Sequence, residues 1–458
     1  YYTLGLAMIM SLSHAQVIAV NTTLSSFIPV SGSPWVADVA GFVDANGHDI
    51  AIICRGNLGL TLYDVDNAAA PVTLGSVAAS GTDLKDARAY LNRWIYCAQQ
   101  GGNLMIVDAL NPASPVHVAS IPSTGGHNVF IDEVRGLLYY SRSGAGGSPM
   151  EIYDIGTSPT SPVLMSSYDP VGHNSHDAWA EGNRAYSFDI AADITRILDV
   201  TNPSSPIELA TLPLGNHSGY GYTPPGGAKK ILLTADERAG GGINIFDVTQ
   251  PISSAPLDSY ITDAAISVHN TIVLGRYAYI SYYKDGLRII DIGNPANPIE
   301  VGVYDTNVNN VGGVFENAWG VWPFSESKVI FNEMFGAQGV YVIDFTPPAR
   351  IDLDVSSSGI GDFGCSISGL DPFNVVYLAI STDSSGPFGK GPFLGIGGDA
   401  IVTVQAPFEP FRAQADASGN YNFYYPGPLP PQSLDCVAIS FKGAIGGLML
   451  SNLASTQL

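Results

Sequence analysis

The chain has 458 residues, 13% of them charged and 46% hydrophobic, with 51 glycines and 31 prolines. This is the composition of a folded, turn-rich β protein long enough for more than one domain, and it excludes a disordered chain. Lys and Arg number 19 against 41 Asp and Glu, a net charge of −22 that argues against nucleic acid or an anionic lipid surface as partner.

Residues 1–15 hold a short apolar run, Leu4 to Leu12, that ends in Ser13-His14-Ala15. The run is too short to span a bilayer. It reads as the remnant of a secretory signal peptide, with a buried N-terminal strand as the other reading. The expectation is a protein secreted or held in the cell envelope, of bacterial type, with no membrane span elsewhere. Cys54 and Cys97 fall at equivalent places in two repeats and read as buried free thiols. Cys365 and Cys436, both in strand-like runs near the C-terminus, are expected to form a disulfide in an exported protein.

One phrase recurs seven times. Examples are NLMIVDALNPASP, TRILDVTNPSSP and LRIIDIGNPANP. Its anchors are Asp64, Asp108, Asp154, Asp199, Asp247, Asp291 and Asp344, spaced 44 to 53 residues apart. Such a period in β-rich sequence indicates stacked four-stranded blades. The fourth repeat shows the unit. His176–Ala180 reads as a first strand, Glu181-Gly182-Asn183 as a hairpin turn, Arg184–Phe188 as the second strand and Thr195–Val200 as the third. Thr201–Pro206 then forms a tight turn before an outer strand, Ile207–Leu212. The recurrent Asp ends the third strand, where its carboxylate can accept N–H bonds of the turn. Seven copies of one residue are scaffold rather than catalyst.

The seventh repeat lacks its fourth strand, and Thr23–Val30 resembles the missing piece. The N-terminal strand is therefore expected to complete the last blade and close the ring. The phrases resemble the LVIVD repeat family over about residues 20–348. That resemblance implies a β-propeller on a secreted or surface protein and no particular reaction.

From Ile351 the repeat stops. Short alternating strands separated by Gly, Pro and Asp-Ser turns predict a small β-sandwich over residues 351–458. Its end, Leu450-Ser451-Asn452, resembles the finish of C-terminal β-domains on secreted bacterial proteins, although Val437-Ala438 stands where such domains carry Gln-Ala. The resemblance implies an anchoring module; the alternative is an accessory sandwich. The predicted fold is all-β: a seven-bladed β-propeller over residues 16–348, closed by its N-terminal strand, then the sandwich.

Aligning the first strands brings Ala37-Asp38, Lys85-Asp86, His127-Asn128, His176-Asp177, His217-Ser218, His269-Asn270 and Glu316-Asn317 into register. First strands are innermost, so four histidines and Glu316 ring one mouth of the channel, with His173 near the rim. Imidazoles with a carboxylate suit a divalent transition metal, the one cofactor implied. The other reading is that these histidines lock neighbouring blades together. Trp35 and Trp322 would stack on a glycan-like ligand at the same mouth, while Trp179 and Trp319 read as inter-blade core. The functional expectation is a non-catalytic binding or scaffolding module with a protein or glycan ligand at the propeller face. The alternative is a metal-dependent enzyme using His127, His176, His217, His269 and Glu316.

Overall fold

The computed structural model describes residues 17–458 apart from 31, 33–34, 124, 144–147, 310, 335–337, 385, 393, 400–410 and 443–446. The expected signal peptide, residues 1–15, lies outside the described residues. The described residues are all-β, with no helix among them, and their four-stranded antiparallel sheets are arranged as in a β-propeller.

The fourth repeat folds as its pattern dictates. Its strands are Ser175–Glu181, Arg184–Asp189, Ile194–Asp199 and Ile207–Pro213, paired in that order. The innermost strand of each repeat is the first. In order these are Val39–Val43, Asp83–Tyr90, Asn128–Asp132, Ser175–Glu181, Ser218–Tyr222, Thr271–Leu274 and Ala318–Pro323. Each packs on the next, and the last packs on the first, so the circle is complete.

The recurrent aspartates do the turn work. Asp64, Asp108, Asp154, Asp199, Asp247 and Asp291 each accept a backbone N–H two or three residues on, at 2.8 to 3.0 Å. The asparagines that follow repeat the device: Asn67, Asn111, Asn202 and Asn294 accept the N–H two residues on. Asp344 differs, because Ser25 of the N-terminal strand donates to it.

That strand, Thr22–Pro29, pairs with Gly339–Phe345 and supplies the outer strand of the last sheet. The residues just before it do something the repeat pattern does not forecast. Ile18–Val20 pairs with Ile299–Asp305 and adds a fifth strand to the neighbouring sheet. Asn21 makes the switch between sheets at φ 53°, a left-handed conformation that Asn tolerates, and its side chain donates to Val301 O at 2.7 Å.

Beyond Arg350 the chain builds two further sheets. One pairs Asp352–Ser356, Phe363–Ser368 and Tyr421–Tyr425; the other is centred on Val375–Ser381 and Ser433–Lys442. Their inward residues, among them Leu353, Val355, Ile367, Leu378 and Leu434, share one apolar cluster. Cys365 and Cys436 both lie in this cluster but on different sheets, and all four cysteines are free thiols. The expected Cys365–Cys436 disulfide is not formed in this structure, where both remain buried thiols of one apolar cluster. Cys54 and Cys97 are buried thiols in a shared core, as expected. Leu450-Ser451-Asn452 has a structural task, since the Asn452 amide both donates to and accepts from the Leu353 backbone at 2.8 and 2.9 Å.

Because one segment completes one sheet and extends another, deleting residues 17–30 exposes two strand edges at once. The expected result is a melting temperature lowered by well over 5 °C and a growing aggregated fraction, measured by calorimetry and light scattering. A truncated chain that melts like the full one would refute the closure.

Candidate functional site: a channel with two unlike ends

Seven inner strands running side by side bring equivalent residues to one axis. Where the strands begin, the ring is Ala37, Lys85, His127, His176, His217, His269 and Trp319. The imidazoles pack against one another in sequence, tilted by 42 to 59°, with centroids 4.1 Å apart from His127 to His176, 4.1 Å from His176 to His217 and 4.4 Å from His217 to His269. The next ring is Trp319, 4.1 Å from His269. Bulges help aim this position: the pairing slips between Leu84 and Asp86, between Ser175 and Asp177, and between Ala318 and Val321.

The structure thus unites His127, His176, His217 and His269 as the sequence predicts, and it corrects the seventh member. Glu316 precedes the last inner strand by two residues, half-buried in a loop with its carboxylate beside Gly312. Trp319 takes the place assigned to it. The carboxylate that does reach the histidines is Glu237, with Oε2 3.5 Å from His217 Nε2. It follows the second strand of the fifth repeat and sits 21 residues from the Asn216 side chain that receives its N–H at 3.0 Å. A search confined to first strands passes over it. His173 turns away from the axis, its Nε2 on Ser187 Oγ at 3.0 Å.

This end is filled. The space among Asp38, Lys85, the four histidines and Trp319 is a cavity of about 10 Å³, the scale of one water. Burial holds His176, His217 and His269 well below the ordinary imidazole range and His127 at about 4, so all four are neutral at neutral pH. Two also lock the ring, with His176 Nδ1 on His217 O at 3.3 Å and His269 Nδ1 on Trp319 O at 2.5 Å. Trp35 is engaged nearby, donating to Asp83 at 3.0 Å beneath the Lys85 ammonium.

One residue further along, Asp38, Asp86, Asn128, Asp177, Ser218 and Asn270 form a polar belt. Arg88 crosses it, 2.5 Å from Asp86 and 3.5 Å from Asp38. One guanidinium cannot compensate three carboxylates. Burial raises Asp38 well above its ordinary range and Asp177 to about 7, and Asp86 is the carboxylate nearest the Arg88 guanidinium. Asp86 also accepts the Val129 N–H of the next sheet at 2.9 Å.

The other end is open. A cavity of about 410 Å³ lies where the inner strands finish. Phe42, Phe130, Trp179, Tyr220, Trp322 and Phe324 wall it, and Arg88, Asp177, Ser218 and Asn270 give it a polar floor. The walls are set by packing between sheets. A Cβ on Gly221 would sit 1.8 Å from the Trp179 ring, and one on Gly41 would sit 2.4 Å from Phe324, so glycine at both places lets an aromatic of the neighbouring sheet lie flat. Of the two tryptophans read as ligand-binding, Trp322 lines this cavity and Trp35 does not.

The LVIVD repeat family model matches residues 92–122, 172–212 and 267–306, so the chain carries LVIVD repeats. No curated protein matches the chain. Among solved structures, it is similar over 58% of its length to 85% of a functionally unknown protein from Desulfotomaculum acetoxidans, at 14% identity and TM-score 0.46. It is also similar over 57% of its length to 82% of a protein from Bacteroides fragilis described as a candidate 6-phosphogluconolactonase, at 13% identity and TM-score 0.48.

Removing the belt's cation leaves its carboxylates unopposed. The folded-state pKa values of Asp38 and Asp177, already raised, rise further, so stability present at acid pH is lost as pH climbs from the ordinary carboxylate range through about 7. Arg88→Met is expected to cost about 3–5 kcal/mol at pH 8 and clearly less at pH 5 in chemical denaturation. An equal loss at both pH values overturns this account.

Proposed function

We propose that this LVIVD-repeat chain is a seven-bladed β-propeller over residues 16–348, carrying a C-terminal β-sandwich over residues 351–458, and that it works as a non-catalytic binding module. Its ligand is a glycan or similar polyhydroxylated compound taken into the open end of the axial channel. The observation that carries this reading is the cavity of about 410 Å³ with aromatic walls and a floor of Arg88, Asp177, Ser218 and Asn270. That volume is in the range of small-molecule sites. Aromatic faces stack on the apolar face of a sugar ring, while the floor offers charged and neutral partners for hydroxyls. Arg88 lies 5.6 Å from the Trp322 ring centroid and holds that wall upright.

The histidine end supports an enzyme less well. With about 10 Å³ of free space, it has room for an ion or a water and none for an organic substrate. Export to the envelope is part of the proposal, and its support is the sequence of residues 1–15. Among the described residues no helix is long and apolar enough to cross a membrane.

The test is a titration of the full chain with a panel of mono- and oligosaccharides, followed by tryptophan fluorescence. The expected result is saturable quenching by at least one class, weakened about tenfold in Trp322→Ala, the loss that truncating a buried aromatic anchor brings. Saturable binding that ignores Trp322→Ala, in a variant that melts like the parent, would sink the assignment to this cavity. A panel without any binder would sink the glycan reading.

A further inference from the structure

We propose that His176, His217 and Glu237 hold one divalent transition-metal ion, zinc by ligand chemistry, which pins the fourth sheet to the fifth at the channel axis. Each of the three offers a ligand atom, and these atoms all lie within 4.8 Å of one another. The His217 Nε2 to Glu237 Oε2 distance is 3.5 Å. Two ligands on a tetrahedral zinc, at about 2.0–2.2 Å each, stand about 3.3–3.6 Å apart. That pair already has the spacing of a zinc edge, and His176 needs only a small approach.

Three further observations favour an ion over simple packing. First, His217 is buried with its ring against the His269 backbone, and its Nε2 faces the Glu237 carboxylate rather than solvent. Second, the carboxylate is held from behind. Tyr283 donates its hydroxyl to Glu237 Oε1, which leaves Oε2 for the histidine side. A partner of this kind orients a ligating carboxylate. Third, Tyr283 is fully buried at φ 35°, a left-handed conformation rare for a bulky side chain. Its carbonyl receives the Ala318 N–H of the next sheet at 3.0 Å, which fixes it there. Backbone strain of this type gathers at sites where geometry matters.

The electrostatic setting agrees. Lys85 faces the same space but is tied to Asp83 at 2.6 Å. The neighbouring cavity of about 10 Å³ admits a water as fourth ligand and nothing larger. The ion's role is therefore to cross-link sheets, and the proposal stands independently of any ligand at the open end.

The experiment uses the full chain, stripped with a chelator and dialysed, then titrated with Zn²⁺ by calorimetry and with Co²⁺ by visible absorption. The expected result is about one ion per chain, a tetrahedral Co²⁺ spectrum and a raised melting temperature. Glu237→Gln is expected to abolish the spectrum while still melting cooperatively. Tyr283→Phe keeps the stoichiometry and weakens affinity about 10- to 100-fold. Glu316→Gln binds like the parent. A stripped chain that melts cooperatively and takes up no ion overturns the proposal, as does Glu237→Gln binding at parental affinity or Glu316→Gln losing the ion.

Discussion

The pairing of Thr22–Pro29 with Gly339–Phe345 is the contact on which the rest of the structure depends. Every other sheet in the ring draws its four repeat strands from one continuous segment, joined by local hairpins. This one joins segments about three hundred residues apart, so its loop-closure entropy falls on a single event. Only when it forms are the seven inner strands held in a circle, and only then do their first residues share one axis. The second pairing, of Ile18–Val20 with Ile299–Asp305, reinforces it from the adjacent sheet. Thr22 Oγ1 donates to Val303 O and Ser25 Oγ to Asp344, so side chains as well as backbone join the closing strand to both sheets. Closure thus comes before chemistry: neither end of the channel exists in an open ring.

Convergence has an electrostatic consequence. The polar side chains of both rings are brought into a space too narrow to hydrate them, and desolvation decides the outcome. Imidazoles lose their proton and pack as neutral, tilted rings. Burial raises the carboxyl groups of Asp38 and Asp177. At Asp38 desolvation exceeds the attraction of Arg88, and its carboxyl stays neutral. A chain of net charge −22 therefore has an axis that is far less charged than its composition implies. That is the condition under which these side chains can pack closely, and it leaves lone pairs rather than charges facing inward.

Much of this was legible from spacing alone. The recurrent Asp marked the end of the third strand and the start of the turn after it, because in six repeats its carboxylate bonds within three residues. The four histidines were legible for the same reason. Glu316 was misplaced because the last inner strand starts only at Ala318 and carries a one-residue bulge before Val321, and Trp319 sits at the axis instead. Bulges leave no signature in composition. Glu237 was invisible because it sits at the end of a second strand, and its approach to His217 depends on the fold of the following loop. Cys365 and Cys436 looked like partners because both lie in apolar runs of one region; the structure brings both into one apolar cluster as free thiols. The aromatic wall was half legible: Trp322 was noticed, but Phe130, Trp179 and Tyr220 gain meaning only three residues along the same strands whose first residues drew attention.

The two ends of the channel differ because side chains taper differently along one strand direction. At the start, bulges and pre-strand residues push imidazoles inward until their rings touch, and the remaining space shrinks to the size of a water. At the finish, large aromatics lie back against glycines of the neighbouring sheet, at Gly41 and Gly221, and the axis opens. Small residues on one sheet thus make room for large ones on the next, and that exchange keeps the wall flat instead of filling the centre. Between the ends, Arg88 touches both systems, with its guanidinium among the belt carboxylates and its plane near Trp322. The belt thus borders both ends: Asp177, Ser218 and Asn270 reach the open cavity beside Arg88, and Asp38, Asn128 and Asn270 line the histidine end.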